Sequence, residues 1–270
     1  MEYILIIESS MKNMENIVSP NMRARINVKI LIGIFMGVIL FQIYLNSLEN
    51  EIQTEISIIS VSLSSQIITG IAALIVARKY RGTRVFGRAY LSLAIAFFSV
   101  AIGEIIYNVY LFVFEIDPFP SIADVFFFLL YPFSLVHLLI NIDFFKVKTN
   151  FKNISFVATL TILILFTYSY FAFNAIEEFN FEFFYGLIFI TGASIITSAG
   201  IYGAITVRKI PLGRSWILLV SGILLGTIGD MWYQYLEILG GYDTNHIVNL
   251  FWYSSYLVII YSLYKHYKII

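Results

Sequence analysis

The sequence predicts an all-α integral membrane protein that crosses the bilayer eight times, and three observations predict it. Hydrophobic residues make up 59% of the 270 positions and charged residues only 13%. A soluble domain is about 45–50% apolar and about 25% charged. The chain also contains eight long apolar runs, each close to the roughly 17–25 residues that a helix needs to cross about 30 Å of hydrocarbon. Finally, the basic residues between these runs are confined to alternate connections.

The eight runs divide the chain into two similar parts. They are Val28 to Leu45, Ile56 to Ala77, Ala89 to Phe114, Ile122 to Ile140, Ile154 to Phe173, Phe183 to Val207, Ser215 to Leu239 and Ile247 to Tyr264. We therefore expect a cytoplasmic leader over residues 1–27, a four-helix repeat over 28–140, a cytoplasmic linker over 141–153, a second four-helix repeat over 154–264 and a cytoplasmic tail over 265–270.

The distribution of charge predicts the orientation. Lys and Arg total 17, as do Asp and Glu, so the formal net charge is zero. Apart from Lys29, at the start of the first run, all the basic residues lie in the leader, in the second, fourth and sixth connections, or in the tail. The other four connections carry acidic side chains and no basic ones. The positive-inside rule therefore predicts a multi-pass protein of the cell membrane with both termini in the cytoplasm. The lipid bilayer is the expected partner, and the balanced charge predicts no nucleic-acid partner.

The third and seventh runs show an internal repeat. Residues 87–110 align with residues 213–236, and the fourth and eighth runs continue the alignment with one residue of slippage. The matched polar and aromatic pairs are Glu104 with Asp230, Tyr107 with Tyr233, Asn108 with Gln234, Asp124 with Asn249, and Tyr131 with Tyr256. Polar residues are rare within membrane helices, so their coincident placement favours a true repeat. Each unit has an even number of spans, which predicts two tandem parallel repeats related by an axis along the membrane normal.

The paired acids are the candidate site for a ligand or proton. Glu104, Tyr107 and Asn108 share one helix face, as do Asp230, Tyr233 and Gln234 in the second repeat. Both acids lie roughly 22 Å from the cytoplasmic end of their helices, in the outer half of the bilayer. Since the basic residues are on the other side, each acid must be protonated, hydrogen-bonded or neutralised by a cation. One interpretation is a polar pocket or proton site open to the outside; the other is helix-to-helix packing through hydrogen bonds.

Three further positions have two interpretations each. Ser121 and Asp124 form a capping-box pattern ahead of an apolar run, which favours a helix cap over a ligand-binding role for Asp124. Asn249, its counterpart, lacks this pattern and leaves room for a shared pocket. Pro132 removes an amide donor inside the fourth run and predicts a kink, which is either a hinge or a feature of packing.

The sequence identifies no cofactor, no metal site and no catalytic residue, and we expect no enzyme activity. Cysteine is absent, so thiolate metal sites and cysteine nucleophiles are excluded. The topology places His137 near the end of the fourth run, His246 in an outer loop and His266 in the tail, so they are not expected to form a haem or zinc site. The only lysine within a run is Lys29, at the second position of the first run, so no lysine lies deep enough in a span to bind retinal. The sequence does not define an oligomeric state.

The segment DPFPSIADVFFFLLYP, residues 117–132, resembles the membrane region that precedes GGDEF and EAL signalling domains in bacterial cyclic-di-GMP enzymes. The residues that carry the resemblance in the first repeat are Gly103, Glu104, Tyr107, Pro120, Ser121, Ala123, Asp124, Tyr131 and Pro132. Those in the second repeat are Gly229, Asp230, Tyr233, Tyr235 and Trp252. The resemblance implies a membrane-embedded sensing module. Only KHYKII follows Tyr264, so we expect this module to stand without an output domain.

Three functions are compatible with these features. The first is a sensory or regulatory membrane module that detects a small molecule, ion or membrane state and signals to a cytoplasmic or membrane partner. The second is a transporter or a proton- or cation-conducting protein that uses Glu104 and Asp230 as paired intramembrane acids. The third is a structural subunit of a larger membrane complex.

Overall fold

The computed structural model describes residues 26–83, 86–144, 151–207 and 213–269, and over these ranges the chain is helical without strands. The helices are α1 (Val28–Ser47), α2 (Glu51–Lys79), α3 (Phe86–Phe112), α4 (Ile122–Phe128), α5 (Leu130–Phe144), α6 (Phe151–Ile176), α7 (Phe181–Val207), α8 (Gly213–Leu239) and α9 (Asn249–Ile269). Nearly all of the expected leader and the centres of the fourth and sixth connections lie outside the described residues. We call residues 28–144 the first half and residues 151–269 the second half.

Seven stretches of the described chain are long and apolar enough to cross a membrane. They are α1, α2, α3, the combined stretch Ile122–Phe144, α6, α7 and Ser215–Leu239 of α8. Large apolar side chains remain exposed along them, such as Ile162 and Phe166 on α6. This is the pattern of a multi-pass membrane protein. The helix α9 has 21 residues but is richer in serine and tyrosine, and it is not among the seven.

Local sequence signals set several helix ends. The Asn27 side chain accepts a hydrogen bond from the Lys29 amide, and Asn50 caps α2 in the same way. At α4 the Ser121 side chain and the Asp124 carboxylate form the capping box that the sequence predicts. These caps satisfy amide groups that the first turn of a helix leaves without partners.

The fourth span is interrupted. Helix α4 ends at Phe128 and α5 begins at Leu130. Pro132 follows four residues after Phe128 and has no amide hydrogen to donate to the Phe128 carbonyl. The helix is therefore interrupted at Leu129, directly after the carbonyl that Pro132 leaves without its helical hydrogen bond.

The last helix is longer than the sequence predicts. The sequence places residues 265–270 in a polar tail, whereas α9 continues to Ile269. His266 is consequently buried, at 3% exposed, and its ring pairs with the Tyr90 hydroxyl. His137 packs edge-on against the same tyrosine ring, with centroids 5.1 Å apart. The sequence places His266 in a polar tail, whereas the structure places it in α9, where Tyr90 of α3 supplies a hydrogen-bond partner for its ring.

The two halves share one hydrophobic core. Within the first half, α3 packs against α2, α4 and α5; within the second, α8 packs against α6, α7 and α9. The halves meet where α9 packs on α2 and where α5 packs on α7. Buried residues of both halves form the central cluster, among them Tyr90, Phe97, Tyr131, Trp216 and Tyr256.

Candidate functional site

Glu104 lies where α3 meets α2, and polar side chains of α2 surround its carboxylate. The Ser62 hydroxyl donates to Glu104 Oε2 at 2.8 Å. The Gln66 amide donates to the same oxygen and also contacts Ser62 Oγ at 3.0 Å. Glu104 is eight residues before the end of α3 at Phe112, so it lies about 12 Å from that end of the helix.

Asp230 lies at the corresponding depth of α8, but its partners are aromatic. The Trp252 indole nitrogen donates to Oδ1 at 2.9 Å, and the Tyr131 hydroxyl donates to Oδ2 at 3.1 Å. Each carboxylate oxygen therefore has a donor of its own. Asp230 is nine residues before Leu239, about 14 Å from the end of α8.

Each acid is linked to a tyrosine from the opposite half. The Gln66 nitrogen that donates to Glu104 also lies 3.4 Å from the Tyr256 hydroxyl, which α9 of the second half supplies. Asp230 in turn receives its hydrogen bond from Tyr131, which belongs to α5 of the first half. Both polar sites therefore lie at the junction between the halves.

One sequence difference separates the two sites. The position 126 residues after Gln66 is Gly192. A β-carbon added at Gly192 would lie 2.6 Å from the Tyr131 ring, so the ring packs directly on the glycine backbone. In the second half this close approach brings the tyrosine to the aspartate. In the first half the side chain of Gln66 fills that space and stands between Tyr256 and Glu104.

Tyr107 and Asn108 do not join the Glu104 site in the structure. The Asn108 side chain donates to the backbone carbonyl of Glu104 at 2.7 Å and so folds back onto its own helix. The Tyr107 ring packs near Phe127, with centroids 6.4 Å apart. Both side chains lie near the C-terminal end of α3, one turn from the acid, and neither of these contacts includes its carboxylate.

Tyr233 and Gln234 point to different neighbours from Asp230. The Tyr233 ring packs edge-on against Tyr242 of the loop after α8, with centroids 4.8 Å apart. Burial and then the nearby Glu237 carboxylate raise the pKa of Tyr242, so its hydroxyl stays protonated. Gln234 is buried on the α7 side of α8, beside Gly186.

Asp124 and Asn249 both hold helix starts. Asp124 accepts the Ser121 amide at 2.7 Å and, with its other oxygen, the Tyr185 hydroxyl at 2.7 Å. Asn249 is buried and donates to the Thr244 carbonyl at 2.8 Å within the preceding loop. The shared pocket considered for these two residues is not formed by their hydrogen bonds.

Several partners of the acids were not among the residues selected from the sequence. Ser62 and Gln66 lie four positions apart in an apolar run and therefore share a helix face, which is a signal that the sequence carries. Trp252 was named only among the residues that carry the resemblance, and Tyr185 gives no comparable signal, because aromatic residues in membrane helices mostly pack or anchor.

The donors at both acids could accommodate either a carboxylate or a protonated acid, and each site could exchange its proton for a small cation. No group of three or more acidic or histidine side chains within the described ranges is arranged to hold a metal ion. No protein-family model, curated protein or solved structure matches this chain.

Proposed function

We propose that this chain is a membrane-embedded sensory or regulatory module in which Glu104 and Asp230 form a pair of polar sites between two tandem four-helix repeats. The observation that carries the proposal is the crossed arrangement of the sites. Each acid belongs to one half, and a tyrosine of the other half lies in its hydrogen-bond network. A proton, cation or small polar ligand that changes either acid therefore changes the contact between the halves.

The proposal includes an eighth span, formed by α9. Its 21 residues reach about 32 Å at 1.5 Å per residue, enough to cross the hydrocarbon. Three of its serine side chains would not be exposed to lipid, because Ser254, Ser255 and Ser262 are buried within the bundle.

The start of α1 and the end of α9 lie at the same end of the bundle. The Asn27 amide donates to the Tyr261 hydroxyl at 2.8 Å, and Lys79 at the end of α2 donates to the Tyr267 carbonyl at 2.5 Å. Together with the basic connections, this supports the proposal that both ends of the chain are cytoplasmic.

Equivalent packing supports the tandem repeat. The contact of α9 with the second helix of the first half mirrors the contact of α5 with the second helix of the second half. A β-carbon at Gly103 would meet Phe127, and one at Gly229 would meet Trp252. The glycine that directly precedes each acid therefore packs against an aromatic ring from the fourth span of the same half.

The resemblance to membrane regions that precede GGDEF and EAL domains supports a sensory role over a purely structural one. In this proposal a separate protein, in the cytoplasm or the membrane, supplies the output. The signal is the shift of the second half against the first, transmitted to the shared basic end of the bundle.

Distance measurements between the halves test this mechanism. The chain contains no cysteine, so Thr83→Cys and Lys268→Cys place two spin labels, one in each half and both on exposed residues. We expect the mean distance in nanodiscs to shift by about 1–2 Å between pH 5 and pH 9, the size of common helix shifts at interfaces. The double variant Glu104→Gln, Asp230→Asn should remove the response.

A label pair within one half serves as the control. Thr83→Cys with Asp143→Cys, both exposed, should report the same distance at every pH. A response that survives in the double variant contradicts the proposal, as does a between-half distance that is constant across the pH series and on addition of small cations.

Transport is the second candidate, and the equivalent depth of the two half-buried acids favours it. Proteoliposomes that contain the wild-type chain measure it directly, with proton and alkali-cation fluxes recorded against Glu104→Gln and Asp230→Asn. If the wild-type chain conducts protons or cations and either substitution abolishes the flux, transport replaces the sensory proposal. Wild-type vesicles that are as tight as empty ones exclude transport of these ions.

A further inference from the structure

A groove opens at the turn between α2 and α3, at the end of the bundle away from the acids. Its volume is about 550 Å³. The last turns of α2 and the first turns of α3 form its walls, and Leu74 and Leu91 contribute apolar side chains to its lining. Arg78, Arg81 and Arg88 also line it.

The backbone of the turn shapes the groove. Gly82 has a φ of +94°, a conformation that L side chains rarely adopt. A β-carbon at Gly87 would lie 2.7 Å from the Tyr80 carbonyl oxygen, so the start of α3 packs tightly beneath the end of α2. These two glycines bring arginines of both helices to one opening.

The arginines are available to an anion. Arg78, Arg81 and Arg88 are exposed, and no carboxylate of the described residues forms an ion pair with them. Lys79, between the first two, is used differently, because it turns to α9 and packs over the Tyr267 ring at 4.5 Å. The groove thus gathers positive charge that the described part of the protein does not neutralise.

We propose that this groove binds the headgroup of an anionic phospholipid, with the arginines around the phosphate and an acyl chain against Leu74 and Leu91. Arginine donates two parallel hydrogen bonds to a phosphate, and basic residues at the cytoplasmic leaflet attract anionic lipids. The apolar side chains of the lining favour a lipid over a soluble phosphate. Ile71 and Ile75, which are three residues before and one residue after Leu74 on α2, are also exposed and could contact an acyl chain.

Lipid titration of the purified chain in detergent tests the proposal, with native mass spectrometry as the readout. Short-chain phosphatidylglycerol should bind to the wild type more tightly than phosphatidylcholine of the same chain length. The triple variant Arg78→Gln, Arg81→Gln, Arg88→Gln should bind phosphatidylglycerol about 100-fold more weakly, from about fivefold per basic residue. Detergent exposes both ends of the bundle, so a change of membrane orientation in the variant does not affect this measurement.

Two further variants keep the result interpretable. Arg81→Gln alone changes one exposed side chain of the turn and should weaken binding about fivefold. Lys268→Gln removes a charge from the same end of the bundle outside the groove and should leave the affinity unchanged. Equal affinity for the two lipids, or equal losses in Arg81→Gln and Lys268→Gln, overturns the proposal. Displacement of the lipid by glycerol phosphate or inorganic phosphate at similar concentrations also overturns it, in favour of a soluble anion.

Discussion

Glu104 and Asp230 have corresponding positions in the two halves but are held by different chemistry. Small polar side chains of the neighbouring helix bind the glutamate through one of its oxygens. Two aromatic donors, Tyr131 and Trp252, bind the aspartate through both oxygens. The glutamate therefore has a second oxygen that accepts no hydrogen bond from the described residues, whereas both oxygens of the aspartate accept one.

Gln66 and Gly192 occupy aligned positions, 126 residues apart, on the second helix of each half, and their difference accounts for much of this contrast. With Gly192 the tyrosine ring reaches the acid directly, and with Gln66 an amide mediates the contact. We therefore expect Glu104 to exchange a proton or ligand with less disruption than Asp230. We expect Asp230 to contribute more to the contact between the halves.

The largest effect is expected from Gly192→Ala. The new β-carbon would lie 2.6 Å from the near side of the Tyr131 ring, which cannot move aside without leaving Asp230. Overpacking of this kind costs about 1–3 kcal/mol. We expect a loss of that size in the free energy of unfolding, measured by denaturant titration in mixed micelles.

Gly33→Ala and Gly37→Ala are the matched controls, since no atom lies within 4 Å of a β-carbon added at either position. Both should be neutral or stabilising by up to about 1 kcal/mol, because alanine has the higher helix propensity. If Gly192→Ala is as harmless as these controls, the close approach of Tyr131 does not distinguish the two sites.

A smaller effect should separate the acids themselves. Asp230→Ala removes the acceptor of both Trp252 and Tyr131 and should cost about 1–2 kcal/mol. Glu104→Ala should cost about 0.5 kcal/mol or less, because Ser62 and Gln66 remain hydrogen-bonded to each other. The same unfolding titration measures both.

Trp252→Phe completes a double-mutant cycle with Asp230→Ala. A coupling energy near zero between the two positions would show that their hydrogen bond does not stabilise the fold. Equal losses for the two alanine variants would mean that the Glu104 site is as tightly built as the Asp230 site. The proposed division of roles would then be wrong.

The sequence predicts most of the helices well, because they depend on local or periodic signals. Apolar runs mark the spans, and the capping box at Ser121 and Asp124 is readable from four residues. The partners of the acids are less predictable. Tyr131 and Tyr256 were matched as a pair, but which acid each one approaches depends on how α5 and α9 cross to the other half.

The last helix shows a second limit of sequence reasoning. Polar residues after Tyr264 resemble a tail, yet His266 is buried because α3 offers Tyr90 as a partner. Polarity at a chain end predicts exposure only when no neighbouring helix supplies a hydrogen bond. That information is tertiary and is absent from the pattern of α9 alone.

The first helices of the two halves extend the comparison, because they dock differently. Helix α6 packs against α7 and α8 of its own half, whereas α1 packs mainly against α9 of the other half. The Phe41 ring meets Tyr253 with centroids 5.4 Å apart. Gln42 donates to the Asn245 carbonyl at 2.7 Å and to its side-chain oxygen at 2.9 Å.

The smallest effect is expected from Gln42→Leu, which removes the hydrogen bonds of α1 to Asn245. The substitution also removes a buried side-chain oxygen that has no hydrogen-bond partner among the described residues. The net loss should therefore be about 0.6 kcal/mol or less, too small for global unfolding to resolve. Amide hydrogen exchange should nevertheless accelerate along α1 while α2 and α9 keep their protection.

Thr161→Val is the matched control on α6, where the Thr161 hydroxyl donates to Ser198 at 3.0 Å. Because α6 is anchored in its own half through the buried Tyr168 and Ala172, this variant should leave exchange along α6 unchanged. If both variants loosen their helices equally, α1 and α6 are attached with similar strength. The asymmetry between the halves would then be confined to the surroundings of Glu104 and Asp230.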